Sequence, residues 1–330
     1  MKIKMMLIFL SSTIVCGIAP ILTAESAVAN DAILRQTFKL GGKRSQQIQY
    51  YLLESKMHTY ALDGKHIGTD VYRLRLKCVP AKLAGKDGDE YTCAAFTVQK
   101  GNEPEVEIPS LKNWTYVFNS STGIDEKGQV LGIAHAPFLN LVDADGKAVS
   151  SVTSYLIYNT FIDFHAFCNV FADRAEGGKG IQDLKSIGQR IVHEAAFSEG
   201  PVSLGSHIAE GSTFKNGKVT LEFKGLSRVA GVTCAMVGFD SGKSSFKMAG
   251  KAMPDIEIRT VGSSHYKGDI YIDLSTNWVK KLIMDEFVIS ETTLPMSTEK
   301  ANAVIERHAI IRNVSEKEFT HQSFPLDRDE

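Results

Sequence analysis

The sequence predicts a β-rich α+β fold, with curved antiparallel sheet on either side of a central helical segment. Three observations predict it. Residues Tyr72 to Cys78 alternate strictly between apolar and basic side chains, which is typical of a strand with one buried face. Asp-Gly pairs at 63–64, 87–88 and 145–146 mark tight turns. Between the strand-rich regions, apolar residues recur at helical steps of three and four.

The first 29 residues have the three parts of a secretory signal peptide. Lys2 and Lys4 precede a short apolar run, and small residues lead to Ala29. The alternative is a retained membrane anchor, but Gly17 and Pro20 interrupt the run and disfavour a spanning helix. We expect cleavage near Ala29 and a periplasmic or extracellular mature protein. No later segment has the length and apolarity of a transmembrane span.

The mature chain is predicted to have three regions and a tail. These are a first antiparallel β unit at 30–150, a helical segment at 151–196, a second antiparallel β unit at 197–316 and a polar C-terminal tail at 317–330.

Strand-like runs place individual elements within the two β units. Trp114–Phe118 is predicted to be a strand of the first unit. In the second, the runs after Gly268 and Trp278 form a hairpin, and Val304–Val314 is the last strand. A Thr-Cys-Ala match at Cys93 and Cys234 raises the alternative that the β unit is duplicated.

The helical segment is predicted to form two helices joined by the glycine-rich loop Gly177–Gly180. The first is aromatic on most sides, so it must be buried on most sides. Its aromatic side chains either line a cavity in the curved sheet or fill it. The cavity-lining candidates are Tyr155, Phe161, Phe164 and Phe171.

Four cysteines remain after removal of Cys16 with the signal peptide. An even number in an oxidising compartment favours two disulfides. Cys78 and Cys93 flank one short connection, which leaves Cys168 and Cys234 as the second pair. The alternative is four buried, reduced thiols.

No motif assigns a catalytic residue, a cofactor site or a metal site. Gly238 and Gly242 are separated by three residues, whereas a phosphate-binding loop needs four. A calcium loop around Gly146 would place Leu141 and Val152 at ligand positions. The balance of 37 Lys+Arg against 38 Asp+Glu disfavours a nucleic-acid partner. One carboxylate cluster near the predicted hairpin keeps a hydrolase open as an alternative. Its members are Asp269, Asp273, Asp285 and Glu286.

The signal peptide, the long alternating strands and the aromatic helix together resemble bacterial periplasmic LolA/LppX-like half-barrel proteins. The hairpin from Gly268 to Glu286 is the part most similar to them. The resemblance covers roughly half of the chain and implies a curved antiparallel sheet capped by helices, with acyl chains held between them.

Three hypotheses of function follow. The first is an exported, non-catalytic binding or cell-envelope protein that holds an apolar, lipid-like ligand in the sheet cavity and needs no cofactor. The second is a structural or assembly component of the cell surface, with a filled core and an envelope protein as partner. The third is a carboxylate-dependent hydrolase.

Overall fold

The structure, a computed structural model, describes most of the chain after the predicted signal peptide. The described residues are 36–119, 131–205, 208, 211–253, 256–293, 300–321, 324 and 326. The signal peptide predicted at residues 1–29 lies outside them. Among the described residues, no helix has the length and apolarity needed to cross a bilayer.

Fourteen strands in the described part of the chain pair into one antiparallel sheet. They are β1 (Gln49–Tyr60), β2 (His66–Val79), β3 (Asp89–Lys100), β4 (Val106–Glu107), β5 (Trp114–Phe118), β6 (Arg190–Val192), β7 (Glu199–Pro201), β8 (Thr213–Lys215), β9 (Thr220–Val229), β10 (Val232–Asp240), β11 (Ser244–Met253), β12 (Ile256–Asp273), β13 (Val279–Thr293) and β14 (Lys300–Val314).

The order of the sheet is β4-β3-β2-β1-β14-β13-β12-β10-β9-β6, so the sheet is open. Two branches leave this path. β5 pairs with β3 beside β4, and β12 pairs with β10 along one half and with β11 along the other. β11 then continues through β8 to β7. Because β1 pairs with β14, the two predicted β units belong to one sheet. Their duplication stays a prediction.

The strands predicted from alternation are confirmed. In β2 the apolar side chains from Tyr72 to Cys78 are buried, and the intervening basic residues lie on the other face. β5 has the bounds predicted for it, and β12 and β13 form the predicted hairpin, with Ile272 opposite Val279. The face of the sheet that carries the main hydrophobic core is called the inner face, and the opposite face is called the outer face.

Three α-helices within the described residues accompany the sheet: α1 (Ala81–Ala84), α2 (Ser151–His165) and α3 (Glu316–His321). The hydroxyl of Ser150 accepts a hydrogen bond from the Thr153 amide and caps α2. A π-helical turn, Ala166–Val170, extends α2. Its apolar positions therefore continue past the end of the α-helix, as the predicted periodicity required.

The inner face of the sheet bends around α2 and its π-helical turn. Their ring contacts are Phe161 with Phe96 in β3, Phe164 with Tyr51 in β1, and Phe167 with Phe239 in β10. From β3 to β10 the sheet spans seven strands, about 29 Å if flat at about 4.8 Å per strand. A helix is only about 10–12 Å across. One helix can touch both of these strands only if the sheet curves around it.

The second predicted helix is wrong. Residues 181–192 form a short 3-10 turn, Ile181–Asp183, and then strand β6. Ile181, Leu184 and Ile191 are buried as the spacing implied. Gly188 has a φ of +83° and ends any helical path before Ile191. An irregular segment can point apolar side chains inward at steps that imitate a helix.

Part of the predicted C-terminal tail packs against the sheet. Residues 316–321 form α3, and Leu326 is buried. Together with Phe319 and Phe324, Leu326 covers a second, small core on the outer face of β1 and β14. The sequence did not predict this packing, because the three apolar residues are spaced among polar ones and show no regular period.

Candidate functional site

The sequence predicted a ligand cavity in the space between α2 and the inner face of the sheet. In the structure, aromatic rings occupy this space. Phe161 has ring centroids at 5.7 Å from Phe96, 5.5 Å from Trp114 and 5.4 Å from Phe138. Such spacings are those of rings in direct packing contact. The rings from the sheet and those from the helix therefore meet across the space where a ligand would lie.

The four predicted cavity residues are part of this packing. Phe161 and Phe164 have 0% of their surface accessible, Phe171 is buried and Tyr155 is half-buried against the core. A water-sized void beside Phe161 or Phe164 would leave accessible surface on the ring. These two side chains therefore fill the interior of the structure, which is the second of the two alternatives that the sequence left open.

A buried ion network fixes α2 against the sheet. Arg307 of β14 donates to Asp163 of the helix and, at 2.6 Å, to Glu286 of β13. The second oxygen of Glu286 accepts from the Ser264 hydroxyl at 2.5 Å. Burial alone would lower the pKa of the Arg307 guanidinium, but Asp163 and Glu286 raise it above its usual value. The network links three strands to one helix face.

Two histidines are enclosed in the aromatic core. His165 stacks on Phe118 at 4.3 Å and shares a 2.7 Å hydrogen bond with the Tyr116 hydroxyl. Burial lowers the pKa of His165 to about 3 and that of His193 to about 4. Both imidazoles are therefore neutral near pH 7. His165 is a hydrogen-bonded core residue and is closed off from solvent.

The four cysteines are free, buried thiols in the structure, and neither predicted disulfide is formed. Cys78 lies opposite Tyr91 and Cys93 opposite Leu76, so the two cysteines are diagonal neighbours. Diagonal Cα atoms are about 7–8 Å apart, which exceeds the usual disulfide range. Cys168 belongs to the main core, whereas Cys234 lies on β10 and contacts the Val232 carbonyl.

The four carboxylates of the hydrolase hypothesis do not converge. Each is engaged by its own neighbour: Asp269 by Lys224 at 2.5 Å, Asp273 by the Ser275 hydroxyl at 2.6 Å, Asp285 by His308 at 2.5 Å and Glu286 by Arg307. Burial alone would raise the pKa of Asp273, but hydrogen bonds from Ser275 and Thr276 lower it. Asp285 and Glu286 are adjacent in β13 and point to opposite faces of the sheet. Asp269 and Asp285 both line an outer-face hollow of about 380 Å³, where Lys224 holds the first and His308 the second.

The two best-formed hollows among the described residues include outer-face residues near β12. One encloses about 310 Å³, with Phe287 and Ile289 on one side and Asp240, Lys243 and His265 on the other. The next, about 380 Å³, is lined mainly by charged residues, including Arg190, Glu222, Lys224 and Asp269. None of the predicted cavity residues lines either hollow.

Sequence reasoning missed this outer surface, although β13 carries a signal for it. Phe287, Val288 and Ile289 are three consecutive apolar residues in β13, between Glu286 and Ser290. A half-buried strand should alternate, so an unbroken apolar run places apolar side chains on both faces. Within the described chain, no group of three or more His, Cys, Asp or Glu side chains is arranged to hold a metal ion.

Comparison with known proteins names no relative for this chain. No protein family matches it, and no curated protein does. Solved structures that align with 81% of the chain include a loop-deletion mutant of OmpT, an outer membrane protein of Vibrio cholerae, at 10% identity, 99% of its own length and a TM-score of 0.17. A mutant Rh. blastica porin aligns over all of its length at 9% identity and a TM-score of 0.18. A structure titled "Asymmetric conductivity of engineered proteins" also aligns over all of its length, at 8% identity and a TM-score of 0.18. TM-scores this low carry no argument about fold or function.

Proposed function

We propose that the protein is an exported cell-envelope protein that acts by binding a protein partner through its surface, with a filled interior. This is the second of the hypotheses drawn from the sequence. The observation that carries it is the complete burial of Phe161 and Phe164 between α2 and the inner face of the sheet. Because the protein's own helix occupies the concave face of the sheet, the outer surface of the protein remains available to bind a partner.

The interior packing weighs against an acyl chain held between α2 and the sheet. Such a chain would have to displace rings that are already in contact, for example Phe164 on Tyr51 at 5.0 Å. Moving α2 outward would also break the Arg307 network and leave Asp163 and Glu286 without their cation. Breaking a buried ion pair in this way costs about 3–5 kcal/mol. The filled interior is therefore the stable arrangement.

Export rests on the sequence of residues 1–29, and the cysteine chemistry is compatible with it. Burial raises the pKa of the Cys93 thiol to about 12 and that of the Cys234 thiol to about 11. Burial raises the pKa of the Cys78 and Cys168 thiols as well. The thiolate is the reactive form in disulfide exchange, so these thiols are protected in an oxidising compartment.

The test is to express the tagged protein in the organism that encodes it, fractionate the cells and measure the intact mass. We expect a mature chain that begins near Asn30, an envelope location and a covalent complex with another protein after chemical cross-linking. Retention in the cytosol with residues 1–29 intact would refute export. A stoichiometric acyl ligand in the native mass spectrum would refute the filled interior.

A further inference from the structure

One end of the outer face carries three large apolar side chains that the described residues leave half-exposed. Val261, Phe287 and Ile289 have 47%, 48% and 47% of their surface accessible. His265 lies opposite Phe287, and Ser263 lies opposite Ile289. Directly opposite residues share a face, and so do residues two apart in a strand. The three side chains therefore form one surface, here called the outer patch.

The outer patch has a hollow beside it that suits one anchoring side chain. Phe287 and Ile289 form its apolar wall, and the turn at Gly242–Lys243 forms another. Its volume of about 310 Å³ is at the small end of ligand sites, which run from about 300 Å³ upward. Buried aromatic or aliphatic anchors in pockets of this kind dominate many protein interfaces.

The charges around the outer patch are unequally paired. The carboxylates have partners on the same face: Asp240 with His265 at 2.9 Å, Glu291 with Lys300 at 2.6 Å and Asp285 with His308 at 2.5 Å. Three exposed lysines, Lys243, Lys247 and Lys267, make no ion pair within the described part of the chain. Lys247 lies opposite Val261, and Lys267 lies opposite Asp285. The patch is therefore ready to accept carboxylates.

The other end of the same face shows how this fold covers an apolar strip. Leu52, Ile310 and Val314 are buried there by the C-terminal segment. Phe324 of that segment lies under the guanidinium groups of Arg73 and Arg75, at 5.5 and 5.3 Å. The segment also carries Glu316 and Glu318 in α3. An acidic stretch with aromatic anchors is thus the chemistry that the outer face already binds within its own chain.

We propose that the outer patch is the docking surface for a protein partner, and that the partner segment places an aromatic or aliphatic side chain in the hollow. Carboxylates flanking that anchor pair with Lys243, Lys247 and Lys267. This inference rests on the proposed function and names the surface and the chemistry of the partner.

The test is site-specific photo-cross-linking of the full chain in the organism that encodes it. Benzoylphenylalanine replaces Phe287 or Ile289, and in a control it replaces Leu83, an exposed residue of α1 with 54% of its surface accessible. We expect covalent adducts with one protein from positions 287 and 289 only. Peptide sequencing of the adduct should place the cross-link within a few residues of Asp or Glu.

Charge reversal distinguishes specific binding at the outer patch from nonspecific association. The triple variant Lys243→Glu, Lys247→Glu, Lys267→Glu should lower the adduct yield at least about tenfold, because like charges then face each other. The control variant Lys82→Glu, Lys179→Glu, Lys185→Glu has the same net charge and should change the yield less than about twofold. These three control lysines are exposed and lie in other elements.

The remaining outcomes overturn either the inference or the function. Adducts from position 83 but none from 287 or 289 would overturn the docking surface and leave the proposed function standing. No protein adduct from any position, and none with a chemical cross-linker, would overturn the proposed function as well. Purified protein that sediments with phosphatidylglycerol vesicles, and loses this in the patch variant only, would show that the surface binds a membrane and would overturn the protein partner.

Discussion

Replacing Phe161 with alanine tests whether the interior is filled. The ring is completely buried and packs on Phe96, Trp114 and Phe138 at 5.4–5.7 Å. Its removal takes away the transfer free energy of the ring and leaves a cavity that rigid neighbours cannot close. We expect the free energy of unfolding to fall by about 3–5 kcal/mol. That is a large part of the about 5–15 kcal/mol that a typical domain has.

The assay is urea unfolding followed by tryptophan fluorescence and far-ultraviolet circular dichroism together. Phe197→Ala is the control, because the exposed ring should contribute less than about 0.5 kcal/mol. Benzene should stabilise Phe161→Ala but leave the unsubstituted protein unchanged, since only the variant has an apolar void. A loss below about 1 kcal/mol would show that a void already adjoins the ring, and the reasoning would be wrong.

Four further predictions concern other parts of the fold. The pKa values of His165 and His193 are lowered to about 3 and about 4, below the unfolded value of about 6.5. Their contribution to stability is therefore present above about pH 6.5, and each should lose about 2 kcal/mol between about pH 7 and pH 5. In urea titrations His165→Gln should remove its share of this slope, and an unchanged slope would contradict the assignment. Arg307→Met should lower the free energy of unfolding by about 3–5 kcal/mol in the same assay, because it leaves two buried carboxylates unpaired. Adding Asp163→Asn and Glu286→Gln should recover part of this stability, and no recovery would argue against the network. Thiol titration in guanidinium without reductant should find Cys78, Cys93, Cys168 and Cys234 all free, whereas the folded protein should react slowly; missing thiols would restore the disulfide hypothesis. Leu326→Ala should cost about 2 kcal/mol because it uncovers the outer core, against less than about 0.5 kcal/mol for the exposed Leu83→Ala; equal losses would show that the C-terminal segment does not cover the sheet.

Much of the sheet could be predicted because strand signals are local. The alternation from Tyr72 to Cys78 fixes which side chains of β2 face the core, whatever lies beside the strand. The hairpin of β12 and β13 also follows from neighbouring sequence. The start of α2 at Ser151 follows from a capping serine and a helical period. Each of these features is decided within about 20 residues of chain.

Other features depended on partners far away in sequence. Residues 181–192 have helical spacing, but the positive φ of Gly188 and the pairing of β6 with β9 make them a turn and a strand. The diagonal register of Cys78 and Cys93 follows from the pairing of β2 with β3, which their spacing in the sequence does not reveal. Arg307 and Asp163 are 144 positions apart and meet only in the folded chain.

The sequence by itself determined a β-rich chain with an aromatic helix at its centre, because periodicity reports which faces of an element must avoid water. It could not decide whether that helix lines a hollow or fills it, since the same rings are needed in both cases. Tertiary structure decided this by the distances between rings on opposite elements. It also decided that apolar residues at one end of β13 stay half-exposed while those at the far end of β14 are covered, because coverage depends on where the chain returns.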